Sequence, residues 1–448
     1  MERFVILLAL AGLSYLLLYT EGLVKTSRAR FAMLGVLLAA FGVRFILFGI
    51  APNDTAAAVE DAIVWYRDAG GFWGIRSSAL PYSIPVQYFL ALFSLAPGGG
   101  LTLFKYICVF AEVTMAWAAQ RCVQCVTVRA QPRLFAFLIV LLLPSGIFQG
   151  VCSAAGDSLW WVFIALAASC AMRGEWRWCA GMLALAVAFH PAALWIVPVF
   201  WVFTAVRRNT WFSLLHLVGW YIAVLVPALL LGRPGSECLP FYPALGTLTA
   251  RPLFGGAPGI YSLSQHSFIA PTGIALYIVF ALLLVWRMSR KSLASDRRRQ
   301  LTALSLASLC AVAFLPWMCA DSLYGAEVLL VALCCLEPKV IPAAVCASFA
   351  SALALFLQND VVHQMAHGGH HGADGVAQVL HLIGSAHIEV PRLLTGLQLL
   401  DGPVQLFHRG GDPLRQAQVH EYQQKHGEEH DEEDFKYCPR CGRELEER

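Results

Sequence analysis

Asp54 follows the apolar run that ends at Ile50, where a low-dielectric wall lifts a carboxylate toward the range of a general base. The loop it sits in, 51–83, also carries Asn53, Glu60, Asp61, Trp65, Asp68, Trp73 and Tyr82, with Tyr88 just beyond. Glu60, Asp61 and Asp68 read as solvated loop acids. A second acid, Asp157, lies with Ser158 at the seam between two apolar runs, where a charge costs several kcal/mol unless it faces a cavity or a partner. N-capping of a helix over 159–172 by Asp157 or Ser158, worth about 1 kcal/mol, competes with site lining on equal terms. Lys105 and Glu112 stand inside one apolar run, 101–118, two helical turns apart, so they share a face without pairing directly. Lys105 can snorkel, and Glu112 cannot easily do so. His190-Pro191 cuts the apolar stretch 179–205 into two short helices and presents an imidazole at the break. Arg233, in Gly232-Arg-Pro, and Arg251 are the cations of their loop; they suit a lipid-linked phosphate or ordinary headgroup contact.

The elements that position these groups follow from composition. Of 448 residues, 58% are apolar and only 14% charged, with a mean hydropathy of +0.62. So few charges cannot cover a soluble protein of this length. The expected fold is all-α, a polytopic transmembrane helical bundle with room for about 12–13 spans. The net charge of +3 is small and scattered, which argues against a nucleic-acid partner. Most of the 14 cysteines sit singly in apolar runs, as Cys108, Cys170, Cys310 and Cys346 do, and read as small hydrophobes rather than a disulfide framework.

Basic residues set the topology. Lys25, Arg28 and Arg30, then Arg121, Arg129 and Arg133, then Arg173 and Arg177, then Arg207 and Arg208, mark cytoplasmic loops. Arg287, Arg290, Lys291, Arg297, Arg298 and Arg299 form the strongest such loop. Segments 51–83, 149–157, the turn at His190, 232–261 and 318–325 therefore face outward. This alternation requires residues 82–118 to cross once, with 84–96 a re-entrant or interfacial piece and 101–118 the span. Pro81, Pro85, Pro97 and Gly98 to Gly100 suit such a break.

A polytopic domain over 1–400 is followed by a polar tail over 401–448. In the tail, His426 and His430 precede Cys438-Pro-Arg-Cys441-Gly442, a knuckle whose thiolates with the two imidazoles make a zinc ligand set. A dimer sharing zinc through two cysteine pairs, or an unmetallated acidic tail, are the rival outcomes. Reduced thiolates favour a cytoplasmic tail, which requires 376–400 to cross. His363, His367, His370 and His371 then fall in an outer loop suited to loose metal binding.

Several of these pieces, in this order, resemble bacterial relatives of the PIG-V-type mannosyltransferase, within the polytopic GT-C glycosyltransferase class. Asp54 with Trp65 and Ala69-Gly-Gly-Phe72 is similar to the family's first outer loop, and Leu80-Pro-Tyr-Ser-Ile-Pro-Val-Gln-Tyr-Phe-Leu90 to the start of its next span. Phe104-Lys105 through Phe110-Ala-Glu112, Gly232-Arg-Pro-Gly235, Tyr242, Leu248-Thr, Ala257-Pro-Gly-Ile-Tyr261, Leu315-Pro-Trp-Met318 and Ala326-Glu-Val-Leu329 continue the likeness, from about residue 50 to 335. Four places differ: Ser153-Ala-Ala-Gly-Asp157-Ser158 stands where the family reads Trp-Gly-Gln-x-Asp-Ser, Met318-Cys-Ala-Asp-Ser322 where it reads Met-His-Glu-Arg-Tyr, Glu112 where it usually has Asp, and His190 where it usually has a lysine.

The resemblance implies an enzyme of the cell membrane that takes a sugar, with mannose the candidate, from a polyprenyl-phosphate carrier to an acceptor on the outer face. It implies Asp54 as general base, and Lys105, Glu112, Asp157, Ser158, His190, Arg233 and Tyr261 as residues that bind substrate. A non-catalytic relative serving as a membrane scaffold, or a transporter of lipid or small solutes, is the alternative.

Overall fold

The computed structural model describes residues 2–48, 54–96, 98–154, 156–205, 210–238, 259–262, 269–289, 296–316 and 318–358. They form helices joined by turns, with no strand among them. The side chain of Asp54, Tyr242, Arg251, the segment 376–400, the histidines from His363 to His371 and the zinc residues His426, His430, Cys438 and Cys441 lie outside the described residues.

The chain opens with α1 (Glu2–Thr20), α2 (Ser27–Leu47), α3 (Asp54–Asp68), α4 (Ile84–Phe93) and α5 (Gly100–Val126). Next, α6 (Ala130–Leu142) bends by 43° into α7 (Pro144–Ile147) and a π turn (Phe148–Ser153). Then come α8 (Asp157–Arg173), α9 (Trp176–Phe189), α10 (Val197–Ala205), α11 (Thr210–Leu230), α12 (Ile269–Met288), α13 (Arg297–Phe314), α14 (Leu323–Cys334) and α15 (Ile341–Gln358). Local chemistry sets several boundaries. Thr26 caps α2 by accepting from the Ala29 amide at 3.2 Å, Asp296 caps α13 by accepting from Arg298, and Gly174 ends α8 in the left-handed region. In α11 the ring of Pro227 breaks the ladder, and the Tyr88 hydroxyl repairs it, donating to the Val224 carbonyl and accepting from the Ala228 amide.

Five helices are long and apolar enough to cross a bilayer: Glu2–Thr20, Ser27–Leu47, Gly100–Val126, Pro271–Met288 and Pro338–Leu355. The bent pair α6–α7 makes a sixth if it is one span, and five further apolar helices are shorter, at 10–17 residues. These helices make the chain a membrane protein. Proline breaks shorten the rest, so a dozen crossings would require the short helices to traverse as well. The 10-residue α4 spans about 15 Å, half of a hydrocarbon core. Its Ile84, Pro85, Val86, Gln87, Leu90, Ala91 and Phe93 are buried by other helices, as a partial crossing requires.

The centre of the bundle is α8, packed between α5 and α9 and covered by α14. Small residues let these backbones approach: Ala111, Ala116, Ala118 and Ala119 on α5 and Ala165, Ala167, Ala168 and Ala171 on α8 are all buried. Gly325 on α14 lies flat against the Trp161 indole, with no room for a methyl group. The outer helices turn apolar side chains outward, among them Phe4, Leu16, Phe31, Ile46, Leu282 and Phe349.

Ion pairs gather basic residues at one end of the bundle. Glu21 holds Arg121 and Arg133, each at 2.7 Å, and Arg298 holds Glu337 at 2.9 Å. Arg297 donates to the Cys125 carbonyl near the C-terminus of α5, and Arg173 lies near it at the C-terminus of α8. Since α8 runs toward that end, Asp157 lies at the opposite one.

Candidate active site

Asp157 stands where three breaks in helical structure meet. The first is the π turn, a form that interrupts helices mainly at functional sites, followed by Ala154 at φ 49°, left-handed backbone that costs a residue with a Cβ about 1–2 kcal/mol. The second is His190-Pro191, between α9 and a 3-10 turn (Pro191–Trp195). The third is the 3-10 turn Ala320–Ser322 ahead of α14.

The capping role read from the sequence does not hold for Asp157. Gly156 occupies the N-cap of α8 and Asp157 is the first helical residue, its carboxylate at the positive end of the helix dipole. Trp160 Nε1 donates to Oδ1 at 3.2 Å, and Ser322 Oγ donates to Oδ2 at 3.1 Å, across 165 residues of sequence. Beside it Asp321 is buried, and burial, then the nearby Asp157 charge, push its carboxyl up to about 8. Asp157 is the better exposed of the two acids and is met by two donors, whereas Asp321 is buried beside it. Gln149, on the π turn, donates to the Asp321 carbonyl at 2.9 Å. Gln149 Oε1 and Asp321 Oδ1 have no hydrogen-bond partner among the described residues. That leaves an acceptor and a carboxyl free to meet a polar ligand.

His190 joins this group through its ring. The imidazole stacks on Trp160 with centroids 5.1 Å apart, and Trp160 stacks on Trp161 at 4.1 Å. Its Nδ1 accepts from the Ala192 amide at 3.2 Å, so the ring also caps the 3-10 turn. Burial pulls its pKa down while Asp157 pulls it up. Ser158 is buried on the next residue of α8 and faces Cys108 of α5.

Glu112 is bound differently. Its Oε2 accepts from Arg44 Nη2 at 2.6 Å and Nε at 3.1 Å, with both side chains wholly buried. Arg44 also donates to the Leu141 carbonyl at 2.8 Å, left without a helical partner by the bend before Pro144. Gly150, on the π turn, is pressed against Glu112 Oε1 so closely that no larger residue fits. Lys105 is nearly buried, its ammonium 5.5 Å from the Phe48 ring centroid and within electrostatic range of Cys152 on the π turn and Glu60 on α3. It forms no ion pair among the described residues.

Arg233 is committed to the first loop. Its guanidinium donates to Gln87 Oε1 at 2.7 Å and to the carbonyls of Ile75 and Ser78, each at 3.1 Å, with Glu237 at 3.6 Å. Tyr66 donates within the same group, and Gln87 reaches back to the Tyr82 carbonyl at 2.7 Å. Arg233 thus holds the turn Gly71–Ser77 and α4 together. Tyr261 donates to the Phe314 carbonyl at 2.9 Å, away from the Asp157 group.

The structure therefore brings Asp157, Ser158 and His190 together, sets Lys105 and Glu112 beside the same π turn, and keeps Arg233 and Tyr261 in separate hydrogen-bonded groups. Sequence reasoning passed over Arg44, Gln149 and Asp321. Arg44 did carry a signal: it is the one cation in the apolar run 31–50. Among the described residues no group of three or more His, Cys, Asp or Glu side chains is placed to hold a metal ion. No protein-family model matches this chain and no curated protein matches it, so its functional reading rests on the geometry of these residues and on the likeness of its motifs.

Proposed function

We propose that the protein is a membrane glycosyltransferase of the GT-C type, moving a hexose from a polyprenyl-phosphate donor to an acceptor hydroxyl at the outer face of the cell membrane. On this reading α8 and α13 cross together with the short helices α9, α10, α11 and α14, which with the five long helices and the bent pair gives about 12 spans, and the basic end of the bundle is cytoplasmic. The observation that carries the proposal is the Asp157–Asp321 pair where the three breaks meet, at the end away from the basic loops. Membrane proteins place ionisable groups at such breaks to meet polar substrates, not lipid.

In the proposed reaction Asp54 takes the proton from the acceptor hydroxyl as its oxygen forms a bond to the anomeric carbon. The bond from that carbon to the phosphate oxygen breaks in the same in-line step, with inversion, and the lipid phosphate leaves as an anion. Lys105 is the cation best placed to meet that phosphate, since Arg44 and Arg233 are already engaged. The carboxyl groups of Asp157 and Asp321 can hydrogen-bond to sugar hydroxyls, holding the ring while the bond changes. The tail would hold zinc at Cys438, Cys441, His426 and His430 in the cytoplasm, a complete tetrahedral set that serves structure.

Transfer of labelled hexose from a polyprenyl-phosphate donor, measured in membranes carrying the Asp54→Asn variant, tests the base. A loss of at least about a hundredfold supports it. Unchanged transfer, with the variant inserted normally, would turn the reading to a non-catalytic membrane scaffold.

A further inference from the structure

Glu327 is a buried carboxylate that the proposed reaction leaves unused. It sits on α14 with no exposed surface. Ser145, in the first turn after the bend between α6 and α7, donates to its Oε2 at 2.6 Å. Ser348 and Ser351, one turn apart on α15, bring their hydroxyls toward the same carboxylate. Glu327 Oε1, Ser351 Oγ and the Tyr324 hydroxyl, all fully buried, make no hydrogen bond among the described residues. Nor does Glu327 form an ion pair among them, and the nearby guanidinium of Arg44 belongs to Glu112.

An ionised carboxylate in such a place is unstable unless something neutralises it. The surrounding ligands are oxygens alone, a hard set that suits hard cations and not zinc or copper. A single carboxylate supplies one negative charge, and calcium or magnesium sites draw on more oxygens or on several bound waters. In secondary transporters, broken membrane helices are also where small cations are held. We propose that Glu327, Ser145, Ser348 and Ser351 bind a sodium ion, which ties α14 and α15 to the broken helix α6–α7. Tyr324, packed against Gly146 at the bend, closes the site on the side facing Arg44 and Glu112.

Thermal unfolding of the full-length protein in detergent at pH 8 tests this, with sodium chloride compared against choline chloride and potassium chloride at equal ionic strength. The site requires a saturable rise in Tm in sodium, about 5 °C at a concentration a hundredfold above Kd, with little response to potassium. Glu327→Gln should abolish the sodium response, and Ser351→Ala should weaken apparent sodium affinity severalfold while leaving the Tm in choline near that of the wild type. Radioactive sodium bound to the wild type in equal molar amount would agree. Equal stability in sodium and choline, with stability that follows pH alone, would mean that Glu327 simply holds a proton. A sodium response that survives Glu327→Gln would place the ion elsewhere, and either result overturns the proposal.

Discussion

Glu112 and Asp157 flank the same π turn of residues 148–153, and both are acids in low-dielectric surroundings, but their partners differ in kind. Glu112 meets a guanidinium, which neutralises it and joins α2 to α5 beside the bend of α6. Asp157 meets a hydroxyl, an indole N–H and a second acid, which solvate its charge without cancelling it. The first arrangement spends the charge on holding helices together; the second leaves it available to a ligand. Two acids beside one turn thus differ in their surroundings, a cation at Glu112 and neutral donors at Asp157.

The largest effect expected from this contrast is on the structural side. Arg44→Met leaves Glu112 charged and alone in the bundle and should cost about 3–5 kcal/mol, read as a fall in Tm and in the amount of folded protein. Adding Glu112→Leu to that variant should recover most of the loss, because an apolar pair needs no neutralisation. If Arg44→Met alone is as stable as the wild type, Glu112 is not held as described.

A smaller effect should appear with pH. The folded Asp321 carboxyl, raised to about 8 from an ordinary 3.8, keeps its proton where the unfolded chain has lost it. The folded state then binds more protons between those values, so this contribution is fully present below about pH 4 and is lost as pH climbs through 8. His190, lowered from 6.5, works the other way, adding stability as pH rises through that value. The difference in Tm between wild type and Asp321→Asn isolates the first effect, and it should narrow or change sign from pH 5 to pH 9. A difference that stays constant would show that Asp321 does not titrate in that window.

The smallest effect is Ser322→Ala, which removes one of the two donors to Asp157 and should cost about 1 kcal/mol of stability. Because Trp160 still donates to Asp157, the variant should stay folded and show a modest shift in unfolding temperature. A loss as large as that of Arg44→Met would erase the distinction between the two regions.

Much of the frame was readable in the residues. Apolar runs and prolines foretold the helices, the break at His190-Pro191 and the short helix α4, because these follow from local chemistry. Their two-turn spacing keeps Lys105 and Glu112 from pairing, and the structure gives Glu112 to Arg44 instead. The pairings themselves were not readable. Arg44 and Glu112 are 68 residues apart, and Ser322 and Asp157 are 165 apart, so only the packing of α2, α5, α8 and α14 brings them together. The sequence suits Asp157 equally to capping and to site lining, because it cannot show that Gly156 takes the N-cap position. Arg233 invited a phosphate from its place in an outer loop, while its fixed acceptors, Gln87 and the carbonyls of Ile75 and Ser78, come from a turn and helix about 150 residues earlier.

The most direct measurement is the initial rate of hexose transfer from a labelled polyprenyl-phosphate donor for wild type and Asp157→Asn, reconstituted at equal amounts in vesicles at neutral pH. With Asp157 holding the sugar, the wild type transfers and the variant falls by about a hundredfold while its unfolding temperature stays close to that of the wild type. Equal rates for the two proteins, or no transfer by the wild type from any such donor, would contradict the account.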